Sequence, residues 1–248
     1  NKPLMLIIIG NVLGTLTGLA SVFQTYYYSE VLNLSSAVLW INLPGTIFGF
    51  LTYLLIPKLK TKLDNRQIVI LNVVCRFIVG TLVFLAGLSF YRTNIVVISI
   101  LLMIQNFIFS FFNTINSVIP TEMIGDTVDY MEWKTGERNE GVSFSVLTFV
   151  GKLTGSISTS LGTALLPLIG LSFVTNADGS QTAVKGENTD LFIWALFTIV
   201  PYVLGLLTLI PYAFYNLTGK RLAVIRAEMA ERRSKLAAEV SDGGVENE

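Results

Sequence analysis

Residues 141–170 read GVSFSVLTFVGKLTGSISTSLGTALLPLIG. The stretch is apolar and long enough to cross a bilayer, yet it holds one lysine, Lys152. Lys152 lies eleven residues past Gly141, or ~16 Å along a helix, close to the middle of a ~30 Å hydrocarbon core. A cation at that depth costs at least ~3 kcal/mol, and its stem is too short to reach the surface comfortably. Membrane segments keep such a residue mainly where it lines a polar path for substrate, ion or proton.

The rest of the chain has the same character. Of 248 residues, 52% are hydrophobic and 14% charged, where a soluble globule carries about a quarter charged residues; the mean hydropathy is +0.63. Six apolar segments, at about 3–28, 36–57, 67–90, 94–119, 141–170 and 190–214, approach or exceed the ~20 residues of a spanning helix. Backbone groups in lipid must be paired within the segment, so these read as helices. The short alternating segments of a β-barrel are missing from the sequence. The fold class is therefore all-α integral membrane, with six transmembrane helices over residues 1–215 and a charged tail over 216–248. Formal net charge is zero and there is no histidine, which removes imidazole metal sites and histidine proton relays, and nothing points to nucleic acid. The single cysteine, Cys75, has no partner for an intrachain disulfide.

Thirteen of the seventeen Lys and Arg residues fall on the side that holds both termini. The positive-inside rule makes that side cytoplasmic, which suits a multi-pass protein of the plasma membrane. The loop at 175–190 then faces outward. In the tail, Leu222, Ile225, Met229 and Leu236 fall near one helical face, which fits either an amphipathic helix on the inner leaflet or a solvated tail. Gly10, Gly14 and Gly18 recur every four residues, as do Gly45–Gly49 and Gly151–Gly155. This is the spacing of smooth faces where helices approach closely. Asn42, Pro44 and Gly45 mark a kink in the second span.

Two polar stripes run through apolar helices. In the fourth span Asn106, Ser110, Asn113 and Ser117 share a face, flanked by Gln105, Thr114 and Asn116. These amides either join helices by hydrogen bonds or bind a hydroxyl-rich solute. In the fifth, Ser145, Thr148, Lys152 and Thr159 share a face, which favours the solute. Asn11 lies near the glycine face of the first span and could border a cavity. Arg76, ~13 Å into the third span, reads as an anchor leaning toward the surface or as an internal packing partner. None of the seventeen carboxylates lies in the middle of a span, so Lys152 lacks an obvious acidic partner. The chain opens at Asn1 with no leader pattern. Its start and the unpaired lysine together lead to the expectation that a further six-helix half supplies the counter-charge.

Between the fourth and fifth spans lies PTEMIGDTVDYMEWKTGERNEG, residues 120–141. Glu122, Asp126 and Asp129 fall on one face of a helix continuing past Pro120. They suit either a salt-bridged surface helix or a gate in which carboxylates and arginines pair across a closing interface.

The run from Gly125 to Gly141 resembles the signature between helices 10 and 11 of the glycoside–pentoside–hexuronide:cation symporters, the melibiose-carrier-like branch of the major facilitator superfamily. The resemblance treats the chain as the carboxyl-terminal half, spans 7 to 12, of a twelve-helix bundle. It implies a cytoplasmic gate at Asp126, Asp129, Arg138 and Glu132, and a helix-11 lysine at Lys152 linked to cation and sugar binding, with Thr148 one turn before it. Gly125 stands where Ala is usual and Met131 where Gly is usual. Ser117 takes the position of the melibiose carrier's sugar-stacking tryptophan, so stacking must come from Phe112, Phe144 or the other half.

The expected function is cation-coupled symport, by sodium or proton, of a sugar or glycoside by alternating access. Binding residues would be Lys152, Thr148, Asn113, Asn106, Ser145 and Asn11. The partners would be the sugar, the monovalent cation, the amino-terminal six-helix half and the lipid bilayer, with no other cofactor. A lipid or lysolipid carrier on the same fold is the alternative. A polytopic enzyme lacks any catalytic constellation in the sequence.

Overall fold

The computed structural model describes residues 1–34 and 38–243, with side chains as far as residue 235. In chain order the helices are α1 (Lys2–Val31), α2 (Val38–Lys60), α3 (Asn65–Gly87) and α4 (Ile95–Thr135), then α5 (Glu140–Leu168). A hairpin of β1 (Leu171–Thr175) and β2 (Gln181–Lys185) follows, then α6 (Thr189–Phe214) and α7 (Gly219–Gly243). Five of these, α1 to α4 and α6, are long and apolar enough to cross a membrane. The sixth expected span, α5, has 29 residues and does not fall short in length. It falls short in apolarity, because Ser, Thr and Gly interrupt nearly every turn on either side of Lys152.

Local chemistry places the helix ends. The Asp64 N–H donates to Gln67 Oε1 at 3.0 Å, opening α3. The Val97 N–H donates to Asn94 Oδ1 at 3.2 Å, opening α4. Gly136 closes α4 with φ 78°, a left-handed geometry that a side chain would strain, and its N–H donates to the Glu132 carbonyl at 2.8 Å. Helix α4 runs unbroken through Pro120 for 41 residues, ~60 Å, about twice the hydrocarbon core. Having no N–H, Pro120 leaves the Asn116 carbonyl without its usual helical donor.

Helix α4 packs against α2 and α3, α3 against α6, α6 against α1, and α1 against α5. On α2 two faces separate by helical period. Asn42, Gly45, Thr46 and Gly49 turn inward, while Leu39, Leu43, Ile47, Phe50 and Leu54 are exposed. Leu71, Ile78, Leu82 and Leu85 of α3 and Phe192, Val203, Ile210 and Phe214 of α6 extend that exposed apolar surface, which is what a lipid-facing exterior requires. The buried core divides into two main clusters. One surrounds Phe23, Tyr27, Trp194 and Phe197 near the hairpin. The other surrounds Ile7, Ile68, Met123 and Tyr215 at the opposite, basic end. A small cluster of Ala20, Phe109 and Tyr202 is separate from both.

Three sequence readings change. The polar 175–190 connection contains the second strand of a hairpin, with Leu171 opposite Lys185 and Thr175 opposite Gln181. The tail helix α7 neither lies free on a leaflet nor stays solvated: Ile225 and Met229 are 3% and 5% exposed and join the Met123 cluster at the end of α4. Leu236 lies outside the residues whose side chains are described. Among the glycine pairs, Gly10 faces Tyr212, Gly18 faces Ser158 and Gly45 faces the Asn106 backbone, whereas Gly151 and Gly155 have no atom within 4 Å of the Cβ position. Those last two border open space instead of a neighbouring helix.

Gly45 therefore has a measurable role. A Cβ there would stand 2.7 Å from the Asn106 carbonyl oxygen. Gly45→Ala is expected to lower stability by about 1–3 kcal/mol through overpacking of α2 on α4, read as a lower melting temperature of the purified protein in detergent. Gly155→Ala, with open space at that point, is expected to leave it unchanged or slightly raised.

Candidate functional site

Two adjoining cavities open between the helices. One, of about 390 Å³, is bordered by the Gly10–Gly18 face of α1, by Asn72 and Arg76 of α3, by Gly151, Thr154, Gly155 and Ser158 of α5, and by Tyr202 and Tyr212 of α6. The other, of about 660 Å³, is bordered by Gln24 of α1, Asn42 and Thr46 of α2, and Gln105, Asn106, Ser110, Asn113 and Thr114 of α4. Thr17, Gly18, Arg76, Asn116 and Tyr202 line both, so the two form one polar concavity with Arg76 at their junction. The glycines of α1 and α5 keep its walls low, which is the function Gly151 and Gly155 have in place of helix packing.

Several polar atoms along this concavity lack partners among the described residues. Gln105 is 2% exposed, yet neither its Nε2 nor its Oε1 is bonded. The Asn72 Nδ2 donates to the Phe112 carbonyl at 3.0 Å, but its Oδ1 is unpaired, as are Asn11 Nδ2 and Arg76 Nε. A buried polar group without a partner costs about 1–3 kcal/mol, so this grouping is informative. Asn106 is different: its Nδ2 donates to Asn42 Oδ1 at 2.7 Å, joining α4 to α2 while it borders the cavity. Asn113 is exposed to the same space.

Of its two readings, surface anchor or internal packing partner, Arg76 takes the second in the structure. It does not lean to the surface; its guanidinium carbon stands 5.5 Å from the Phe109 ring centre and 5.4 Å from that of Tyr202. Its ring partners lie far away in the chain, so no local pattern revealed this. Conversely, Ser145, Thr148, Lys152 and Thr159 are all exposed on α5 and line neither cavity. The face of α5 that meets α1 carries Thr154 and Ser158 instead, the latter donating to the Thr15 carbonyl at 3.1 Å. The structure thus brings Asn11, Asn106 and Asn113 to the concavity and leaves Ser145, Thr148 and Lys152 on an adjacent open face. Among the described residues no carboxylate pairs with Lys152.

At the basic end a third cleft, of about 730 Å³, is lined by Ser117, Asp126, Asp129, Arg138, Phe144 and Arg226. Arg138 Nη1 donates to Asp129 Oδ1 at 3.1 Å and Glu132 Oε2 at 2.7 Å, and Nη2 donates to Glu140. Hydrogen bonds, to Glu132 first and Glu140 next, hold the Arg138 guanidinium above its ordinary value. Glu132 does the same for Arg233, to which it is bound at 2.6 Å. Asp126 is 2% exposed and pairs with Arg226 of α7 at 2.6 Å, not with Arg138. Lys60 of α2 pairs with Glu122. The carboxylates of α4 therefore bind the loop arginine and, through Arg226 and Arg233, the tail helix, a set of partners that the sequence reading had not assigned.

The profile of the family described as MFS/sugar transport protein matches residues 1–219. The chain is similar to a sulfoquinovose importer of Escherichia coli (strain K12), 29% identical over 95% of this chain and 47% of the relative. It is similar to a glucuronide carrier protein homologue of the same organism, 25% identical over 98% of this chain and 50% of the relative. A lactose permease of Leuconostoc lactis is 28% identical over 90% of this chain and 33% of the relative. The chain spans about half the length, or less, of these curated relatives.

The Asp126–Arg226 pair predicts how α7 is held. Arg226→Gln leaves a buried carboxylate without its cation, and amides over residues 222–235 are expected to exchange with solvent at least about tenfold faster, the effect of losing ~1.4 kcal/mol of local stability. Adding Asp126→Asn removes the unpaired charge and is expected to recover part of the protection. Hydrogen exchange read by mass spectrometry checks both.

Proposed function

Given that the chain belongs to the MFS/sugar transport protein family, we propose that it forms six helices of a secondary transporter that carries a sugar or glycoside together with sodium or a proton. The observation that carries this reading is the polar concavity: four residues with unpaired buried polar atoms, Asn11, Asn72, Arg76 and Gln105, border glycine-lined space, behind an exterior that is apolar. Amide donors and acceptors beside aromatic rings suit a hydroxyl-rich solute.

In this proposal α5 is the sixth span. Its polar, exposed face, with Ser145, Thr148 and Lys152, meets a second six-helix body that covers the concavity and supplies the counter-charge to Lys152. Asn11, Asn106 and Asn113 bond solute hydroxyls from this side. Acidic ligands for a coupling cation are not clustered among the described residues, so they belong to the other body. Rocking of the two bodies about the central site gives alternating access. The basic end is cytoplasmic by the positive-inside rule, in the plasma membrane. There Asp126, Asp129, Glu132 and Arg138 form the gate: the pairs within this chain hold the carboxylates in place when the gate is open and exchange partners when it closes.

Uptake by the full natural polypeptide in vesicles checks the proposal. Accumulation of a radiolabelled glycoside is expected under an imposed sodium or proton gradient and not without one. Lys152→Ala is expected to abolish accumulation while membrane insertion and amount stay normal. If a lysolipid displaces uptake where sugars do not, or if Lys152→Ala accumulates as wild type does, the assignment to coupled sugar transport, or the role of Lys152 in it, is wrong.

A further inference from the structure

Resting on the two-body reading above, we infer that α7 is an autoinhibitory strap on the gate: its arginines hold Asp126 and Glu132, so the second six-helix body closes over the basic end only after α7 lets go. The contact is wide. Arg226 Nη2 donates to Asp126 Oδ1 at 2.6 Å. Arg233 donates to Glu132 through Nη2 at 2.6 Å and through Nε at 3.3 Å. Arg232 Nη1 donates to the Trp133 carbonyl at 2.9 Å, and Trp133 Nε1 donates to Glu228 Oε2 at 2.5 Å. The Arg221 guanidinium carbon stands 5.9 Å from the Tyr130 ring centre. Ile225 and Met229 are buried in the Met123 cluster. This set of α7 side chains lies against residues 123–133 of α4, the stretch that carries Asp126, Asp129 and Glu132.

Two of those three carboxylates are engaged by the tail. In the Asp126–Arg226 pair the carboxylate is 2% exposed and the guanidinium 52%, and both residues line the cleft at the basic end. With the acid buried and the arginine on the surface, a cation of the covering body reaches Asp126 only by replacing Arg226. Glu132 Oε2 accepts from both Arg138 and Arg233, so a further cation there meets two guanidinium groups already in place. Pulling Arg226 away with no substitute leaves a buried charge bare, which is costly; a substitute cation removes that cost. The strap therefore stays docked until the covering body competes for the same acids, and it biases the bundle toward the form open at this end. The attachment of α7 suits release. Tyr215 and Leu217 are buried in the Met123 cluster and anchor the connection. Gly219 follows with φ 52°, a left-handed geometry that favours glycine, and α7 begins there. The match to the family profile ends at the same residue.

The test reads closure directly, in inside-out vesicles of the full natural polypeptide with Cys75 replaced by Ser. A single cysteine is placed at Ser117, exposed in the cleft, and its reaction with a membrane-impermeant maleimide is timed. Arg226→Gln combined with Arg233→Gln is expected to slow labelling at least about threefold, the population shift that follows from losing charged contacts. A cysteine at Thr61, exposed outside the cleft, is expected to label at an unchanged rate. Hydrogen exchange over residues 222–235 shows in the same variant that α7 has come away. A chain ended at Thr218 is expected to slow labelling equally; if it fails to fold, the double variant decides alone. Unchanged labelling with α7 released makes the tail a structural cap and overturns the inference. Faster labelling makes it part of the closed barrier and overturns it too. So does a double variant whose α7 stays as protected as in wild type, since the arginines are then not what holds it. Glycoside uptake with Ser117 intact reports separately: no uptake together with slowed labelling removes the sugar reading and leaves the strap, and uptake together with unchanged labelling does the reverse.

Discussion

A polar atom placed where water is scarce must find a partner or cost the protein stability, and the architecture of this chain follows from where that constraint is met and where it is not. On the outside of α2, α3 and α6 it never arises, because those faces are Leu, Ile, Val and Phe. Between α4 and α2 it is met by a side-chain bond, Asn106 to Asn42. Along the concavity it is not met: Gln105, Asn72, Asn11 and Arg76 all keep unbonded atoms. Asn65, Asp190 and Tyr215 also keep an atom outside any hydrogen bond, but among the described residues four of the seven with such atoms border this one hollow.

The two ends of the molecule treat charge differently from the middle. At the basic end acids and arginines are gathered and paired, three carboxylates to Arg138, with α7 drawn in by Arg226 and Arg233. The exposed pairs among these, Arg138–Asp129 and Arg233–Glu132, add little to stability individually and are easily exchanged for other partners, whereas Asp126–Arg226 has a buried carboxylate and is costly to break. At the hairpin end Lys185 pairs with Asp190 at 3.1 Å and donates to the Glu30 carbonyl, tying the hairpin to α1 and α6. Between the ends only Arg76 and Lys152 carry charge, and neither has an acidic partner among the described residues. They differ in placement. Arg76 is held by two rings within the concavity, while Lys152 stands on the open face of α5. In the proposed function the second meets the covering body.

How much of this was legible beforehand depended on distance along the chain. Apolar length located α1 to α4 and α6 and the position, though not the polarity, of α5, and the acidic face past Pro120 announced that α4 continues. The four-residue glycine spacing found the close approaches at Gly10, Gly18 and Gly45, yet the same spacing at Gly151 and Gly155 marks space, because a motif of small residues does not say what stands opposite it. Two polar stripes were visible, but which cavity or face each one borders was not: the α4 stripe lines the concavity, while α5 turns its lysine away from the face that meets α1. The internal packing of Arg76 was one of two readings, but its ring partners were not legible because they come from α4 and α6. The docking of α7 was missed because its apolar face is as suited to lipid as to the end of α4.

The central claim is that this concavity and the lysine face of α5 are wet surfaces between protein bodies, not lipid-facing ones. Nitroxide labels settle it, placed one at a time at Asn113, Gly155 and Thr148 in the full polypeptide with Cys75 replaced by Ser, in lipid vesicles. Collision with a water-soluble nickel chelate is expected to relax all three strongly, while a control at Phe50 responds to oxygen dissolved in the bilayer. Labels at Asn113, Gly155 and Thr148 that respond to oxygen and ignore the chelate would place those faces in lipid and contradict the account.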